Sequence, residues 1–179
     1  MKKLLLGAVI LAPLAVLAYT QSAPPECAPG QSKLASHCVW FADKLDWKPV
    51  LDPKGNPTGI EQANLEGDPN SKTPAPYTMR VRIPANMRLP EHWHPHVERA
   101  TLLSGELTFV SWDKYDPTNP DSTALTVTLR TPGDFSAMPA GRIHKGRAGP
   151  GGAVIQVHGI SPWKRCAPAS KDPDCKTPS

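Results

Sequence analysis

Three histidines and one glutamate lie at separations that let a single divalent ion gather them: His92, His94 and Glu98 close together, His144 far downstream. Side chains of an extended strand alternate between faces, so His92, His94 and Glu98 share a parity and can point the same way. A fourth ligand then has to arrive from elsewhere, and Pro139-Ala140-Gly141-Arg142-Ile143-His144 offers one behind a tight turn. Neutral imidazole with carboxylate suits Fe, Mn, Ni, Zn or Cu rather than Mg or Ca. The chemistry implied is one transition-metal ion held on strands. His96 has the same parity, but Pro95 disturbs the strand before it, which puts His96 at the rim; His37 belongs to an N-terminal arm. Trp93 faces away from its neighbours and is expected to pack on the outer sheet or in a dimer interface.

Strands have to position these groups, and alternating runs predict them. Tyr77, Met79, Val81 and Ile83 alternate with Thr78, Arg80 and Arg82, the pattern of a half-buried strand. Arg99 to Ser104 reads as a second strand and Glu106 to Trp112 as a third, with Gly105 supplying the positive φ of a hairpin turn between them. Leu125, Val127 and Leu129 alternate with Thr126, Thr128 and Arg130, and Asp134–Met138 and Ala153–Ile160 complete the set. Upstream, Thr58 to Leu65 reads as a covering strand. In the last run Ala153, Ile155 and Val157 form one face; Gln156 and His158 lie on the other. If the apolar face packs between sheets, Gln156 and His158 face the barrel cavity, where they could orient a ligand or a metal-bound water. The turn Pro139-x-Gly141 calls for positive φ at Gly141, so substitution there should displace His144. The 22 prolines and 13 glycines fall mainly between these short runs, which fits an all-β architecture.

The two clusters resemble the paired motifs of the cupin superfamily. The first, G-x5-H-x-H-x3/4-E-x6-G, is matched by His92, His94, Glu98 and Gly105, with its opening glycine replaced by Asn86. The second, G-x5-P-x-G-x2-H-x3-N, is matched by Gly133, Pro139, Gly141 and His144, with its closing asparagine replaced by Ala148. The likeness covers roughly residues 77–163, and looser likeness reaches Gly67-Asp68-Pro69 and Val157–Trp163. It implies a single jelly-roll barrel (a double-stranded β-helix), as in small exported cupins, with His92, His94, Glu98 and His144 as metal ligands. No internal repeat is visible, so one barrel is expected.

The organisation that follows is a signal peptide over 1–18, a proline-rich arm and covering strand over 19–76, the barrel over 77–163 and a C-terminal tail over 164–179. Lys2 and Lys3 precede an apolar run from Leu4 to Ala18 with Val16-Leu17-Ala18 as a cleavage site, which predicts export to the periplasm or medium without a stable membrane anchor. Losing those two lysines lowers the formal charge of +4 by two, too little to argue for nucleic acid as a partner. An exported chain with four cysteines reads as disulfide-bonded. Cys27–Cys38 and Cys166–Cys175 are the expected pairs because both loops are short and rich in turn residues; a bridge between the two tails is the alternative. Arg88, Arg142 and Lys145 flank the motifs and offer a positively charged mouth for an anion. The functional expectation is a metal-dependent enzyme acting on a small oxygenated substrate; the alternative is a non-catalytic metal-dependent binding or sensing module. A homodimer through exposed strand edges fits either.

Overall fold

Two long strands organise the molecule. The computed structural model describes residues 32–34, 37–119, 124–173 and 175, and its strands are β1 (Ser32–Leu34), β2 (His37–Val39), β3 (Lys48–Leu51), β4 (Pro57–Glu66), β5 (Pro76–Ile83), β6 (Arg88–His92), β7 (Glu98–Trp112), β8 (Ala124–Leu129), β9 (Phe135–Met138) and β10 (His144–Ile160). The proposed signal peptide and Cys27, and with it the Cys27–Cys38 pair, lie outside the described residues. No helix among the described residues is long and apolar enough to cross a membrane.

All pairing is antiparallel, and the registers divide β7 and β10 into halves. The C-terminal half of β10 pairs with β5 on one side and the N-terminal half of β7 on the other, continuing to β4, β3 and β9 at the edges. The N-terminal half of β10 pairs instead with β6 and with the C-terminal half of β7, which carries β8. Both long strands therefore run through both faces of a jelly-roll barrel.

The switch between faces can be read from burial. Ala100 and Leu102 point inward on β7, but beyond Gly105 the inward residues are Leu107 and Phe109, of opposite parity. On β10 the inward set changes from His144, Gly146 and Ala148 to Ala153, Ile155 and Val157. Gly105 and Gly152 both have positive φ at these breaks, +77° and +78°. A Cβ at Gly105 would collide with the carbonyl oxygen of Gly152. The expected hairpin turn at Gly105 is thus a bulge inside one continuous strand. The residue is glycine because two backbones cross there, not because the chain reverses.

Inward side chains from both halves fuse into one core: Tyr77, Met79, Val81 and Ile83 on β5 meet Ile155 and Val157 on β10 and Leu107 and Phe109 on β7. The covering strand forms as β4, and β3 adds an outer strand to it. β8 departs from expectation, since only Leu129 of its apolar residues is buried, while Leu125 and Val127 are 63% and 46% exposed. It is an edge strand whose far end runs beyond the opposing layer.

Candidate metal centre

The imidazoles are placed by register. His92 ends β6 and His144 begins β10, and their Cα positions are paired directly across the ladder, so both side chains leave the same face. Trp93 then makes a two-way backbone bridge to Cys166, N to O at 2.9 Å in each direction. That bridge keeps the chain extended through His94, so His92 and His94 share a face and Trp93 takes the other. Trp93 packs there against Cys166, Cys175 and Ile143, under the C-terminal segment rather than on an outer sheet or a dimer surface. Past Pro95 the strand geometry lapses, and Glu98 returns to the cluster as the first residue of β7. The Pro139–Gly141 turn forms as expected, with φ +73° at Gly141 and its N–H donating to the carbonyl of His94.

Backbone carbonyls fix the state of each ring. Nδ1 of His92 lies 2.7 Å from Pro90 O, Nδ1 of His94 2.8 Å from Lys164 O, and Nδ1 of His144 3.0 Å from Arg142 O. A carbonyl oxygen accepts and never donates, so all three Nδ1 atoms carry a proton, and in a neutral ring that leaves the lone pair on Nε2. A ring nitrogen from each residue lies within 4.8 Å of the other two, and with Nδ1 engaged the nitrogen left to face its neighbours is Nε2. The rings are almost sealed, with 7%, 3% and 1% of their surfaces exposed. Burial, with the neighbouring His144 and His94, pushes the pKa of His92 down to about 2. Burial also lowers that of His94, overriding the opposing pull of Glu98. Neutral imidazoles with converging lone pairs are donors waiting for a cation.

Glu98 makes the same point. Its Oε2 is 3.0 Å from Nε2 of His94, a separation that would be an ion pair if His94 were protonated. Desolvation opposes that proton and Nδ1 already carries the other, so a carboxylate lone pair faces an imidazole lone pair. His94 Nε2 is correspondingly a buried polar atom without a hydrogen-bond partner. A metal ion satisfies both atoms, and the residues present fit one. Oε2 also accepts a hydrogen bond from the indole Nε1–H of Trp163 at 2.9 Å, and the Trp163 ring stacks on His94 at 5.5 Å.

No family model matches the sequence, and no curated protein matches it significantly. Solved structures do match in shape. The polyketide cyclase RemF from Streptomyces resistomycificus superposes with a TM-score of 0.54 at 19% identity, over 76% of this chain and 89% of its own. KdgF from Halomonas sp. matches at 0.46 and 18% over 66% and 89%, and an RmlC-like cupin from Shewanella frigidimarina at 0.46 and 14% over 73% and 93%. The chain has the cupin fold.

Within this fold the two motif departures have structural answers. Asn86 stands at the first motif's glycine position with φ +57°, a left-handed conformation that asparagine tolerates better than most residues. Ala148 is a buried strand residue whose N–H donates to Met87 O.

Gln156 and His158 require correction. They do not reach the interior: Gln156 accepts a hydrogen bond from Arg80 Nε on the outer face, and His158 stacks on the exposed Phe135. The apolar face of β10 turns inward instead, and Ile155 and Val157 line the cavity below the imidazoles. The barrel core claims the more hydrophobic face. That cavity measures about 40 Å³ and is walled also by Ile60, Val81, Leu107 and Phe109. The cationic mouth does not form either. Arg142 pairs with Asp113, Lys145 lies 3.7 Å from Glu91 and over the Trp112 ring, and Arg88 is exposed.

The sequence reading missed Trp163, Lys164 and Arg165, which approach the cluster from the end of the expected barrel and the start of the expected tail. The bridge of Trp93 to Cys166 and the Cys166–Cys175 disulfide, present as expected, hold this segment against the barrel. Arg165 lines the cavity from its open side. Crowding around its guanidinium lowers its pKa, yet water still reaches the residue. The available signal was three aromatic or basic residues immediately before a cysteine already assigned to a local disulfide.

Proposed function

We propose that this cupin holds one divalent transition-metal ion through His92, His94, His144 and Glu98 and uses it on a small oxygenated molecule, as a metal-dependent enzyme working outside the cytoplasm. The observation that carries the metal assignment is the convergence of three Nε2 lone pairs, each fixed by a carbonyl on Nδ1. Such a donor set favours Fe, Mn, Zn or Ni, and three imidazoles with one carboxylate leave coordination room on an ion that prefers more than four ligands. When bound, the ion would supply Lewis acidity to a substrate oxygen. The chain's own contribution is to keep the imidazoles neutral, to orient Glu98 through the Trp163 N–H, and to exclude bulk water with the aliphatic wall. RemF, of the same fold, is a cyclase, which supports catalysis as a use of this scaffold without indicating the reaction here. The Cys166–Cys175 disulfide and the signal-like N-terminus support export.

A second reading, a non-catalytic metal-dependent binding or sensing module, is favoured by one observation. The space under the imidazoles is small and apolar, with no acid–base group on its walls apart from the cluster and Arg165.

Elemental analysis of protein purified from its native compartment tests the metal assignment. The expected result is about one transition-metal ion per chain, and loss of that ion together with the stability it confers in a His92→Ala/His144→Ala variant. Equal metal content in the wild type and the double variant would refute it.

A further inference from the structure

The interior cavity has a larger neighbour. A groove of about 700 Å³ opens between the segment running from Trp40 into β3 and the segment Trp163–Arg165. Val50, Trp163 and Arg165 line both spaces, so they form the partition between the groove and the metal centre. The volume falls within the roughly 300–1,000 Å³ range of small-molecule sites.

Its chemistry is specific. Among the groove's cations, Lys48 is paired with Asp46 at 3.3 Å and Lys164 with Asp172 at 2.7 Å. Lys44 sits over the Phe41 ring, and among the described residues no carboxylate lies at ion-pair distance from Arg165, which feels Glu98 only at longer range. The groove therefore carries uncompensated positive charge beside its inner wall. Trp40 also lines the groove, with its indole Nε1 buried inside the wall. Around Arg165 the walls are aromatic and aliphatic: Phe41, Val50 and Trp163.

We propose that this groove binds a small organic carboxylate with an apolar or aromatic body, the carboxylate held by Arg165 and the body lying along Phe41, Val50 and Trp163. This narrows the substrate class of the function proposed above and rests on it only in that the shared wall brings the acid beside the metal centre.

Phenylacetate and its neutral amide, phenylacetamide, are suitable probes, with tryptophan fluorescence as the readout because Trp40 and Trp163 line the groove. Phenylacetate is expected to bind saturably to the full chain and the amide to bind about tenfold more weakly or worse. Arg165→Gln should erase the difference between the two probes, while Arg165→Lys retains part of it. Equal binding of acid and amide by the wild-type protein, or no saturable binding of either, overturns the proposal without reference to any variant. Metal content measured on the same samples separates the two claims: bound metal with no preference for the acid sinks the groove alone. A preference for the acid in protein that holds no metal sinks the metal centre alone.

Discussion

The candidate metal centre is built from two unlike halves. On one side His92, Glu98 and His144 sit at strand ends, and a ladder whose register is set over many residues aims them. On the other, the segment from Ser161 to Cys175 has no regular strand, yet it supplies the carbonyl that fixes the His94 tautomer and the N–H that holds Glu98. Ser161 secures the start of this cap through its hydroxyl, which accepts from Ala75 N–H and lies within hydrogen-bond distance of Thr73 O, and Cys166 secures its middle. Strands thus position the cluster's side chains and the cap sets their hydrogen bonding. Damage to the strand side should cost the fold, whereas damage to the cap should cost metal affinity ahead of stability.

The largest effect expected from breaking the strand side is at Gly105. A side chain there meets the Gly152 backbone, which cannot yield without parting β7 from β10, and the positive φ adds strain. Gly105→Val should destabilise by about 4 kcal/mol or more, or prevent folding outright. Chemical denaturation measures this, and a variant as stable as the wild type would mean that the strands do not cross so closely.

Unpinning the cap is the next largest change. A Cys166→Ser/Cys175→Ser variant releases a short loop and should lose about 2–3 kcal/mol of stability, within the usual range for a native disulfide. The barrel should survive, because the core cluster of β5, β7 and β10 contains neither cysteine. Metal affinity should nevertheless fall, since Lys164 O is then free to leave His94. A variant that binds metal as tightly as the wild type would show that the cap is not what orients that ring.

The asymmetry between the halves also explains what could be read from the sequence. His92, His94 and His144 were legible because ligand spacing in strands repeats a fixed geometry, and Gly141 because a turn glycine has a local cause. Gly105 was visible as a special residue but not as a crossing, since a hairpin glycine and a bulge glycine are the same letter; only its partner, Gly152, distinguishes them. Gln156 and His158 were misplaced because a strand with one apolar and one polar face does not declare which face meets the cavity. Here both sheets pack inward around an aliphatic core, and the polar face was left outside. Trp163 and Arg165 were illegible for another reason. Their contacts depend on where an irregular segment returns to the barrel, and no periodicity encodes that return.

The finest test separates the two things that Trp163 does. Its ring stacks on His94 and its N–H holds Glu98 Oε2. Trp163→Phe keeps an aromatic surface and deletes the hydrogen bond, so stability should fall by no more than about 1.5 kcal/mol. If Glu98 is a ligand, the loss of its orienting donor should weaken metal binding by about tenfold, the lower end of what such supporting contacts contribute. Competition against a chelator reads this directly, and Glu98→Gln provides the scale, because it removes the ligand charge and leaves an oxygen that can still accept from Trp163. A weakening in Glu98→Gln with none in Trp163→Phe would keep the carboxylate in the ligand set but remove the cap's hold on it. No weakening in either would reduce the centre to its three imidazoles, all of them aimed by strand ends and by the bridge at Trp93.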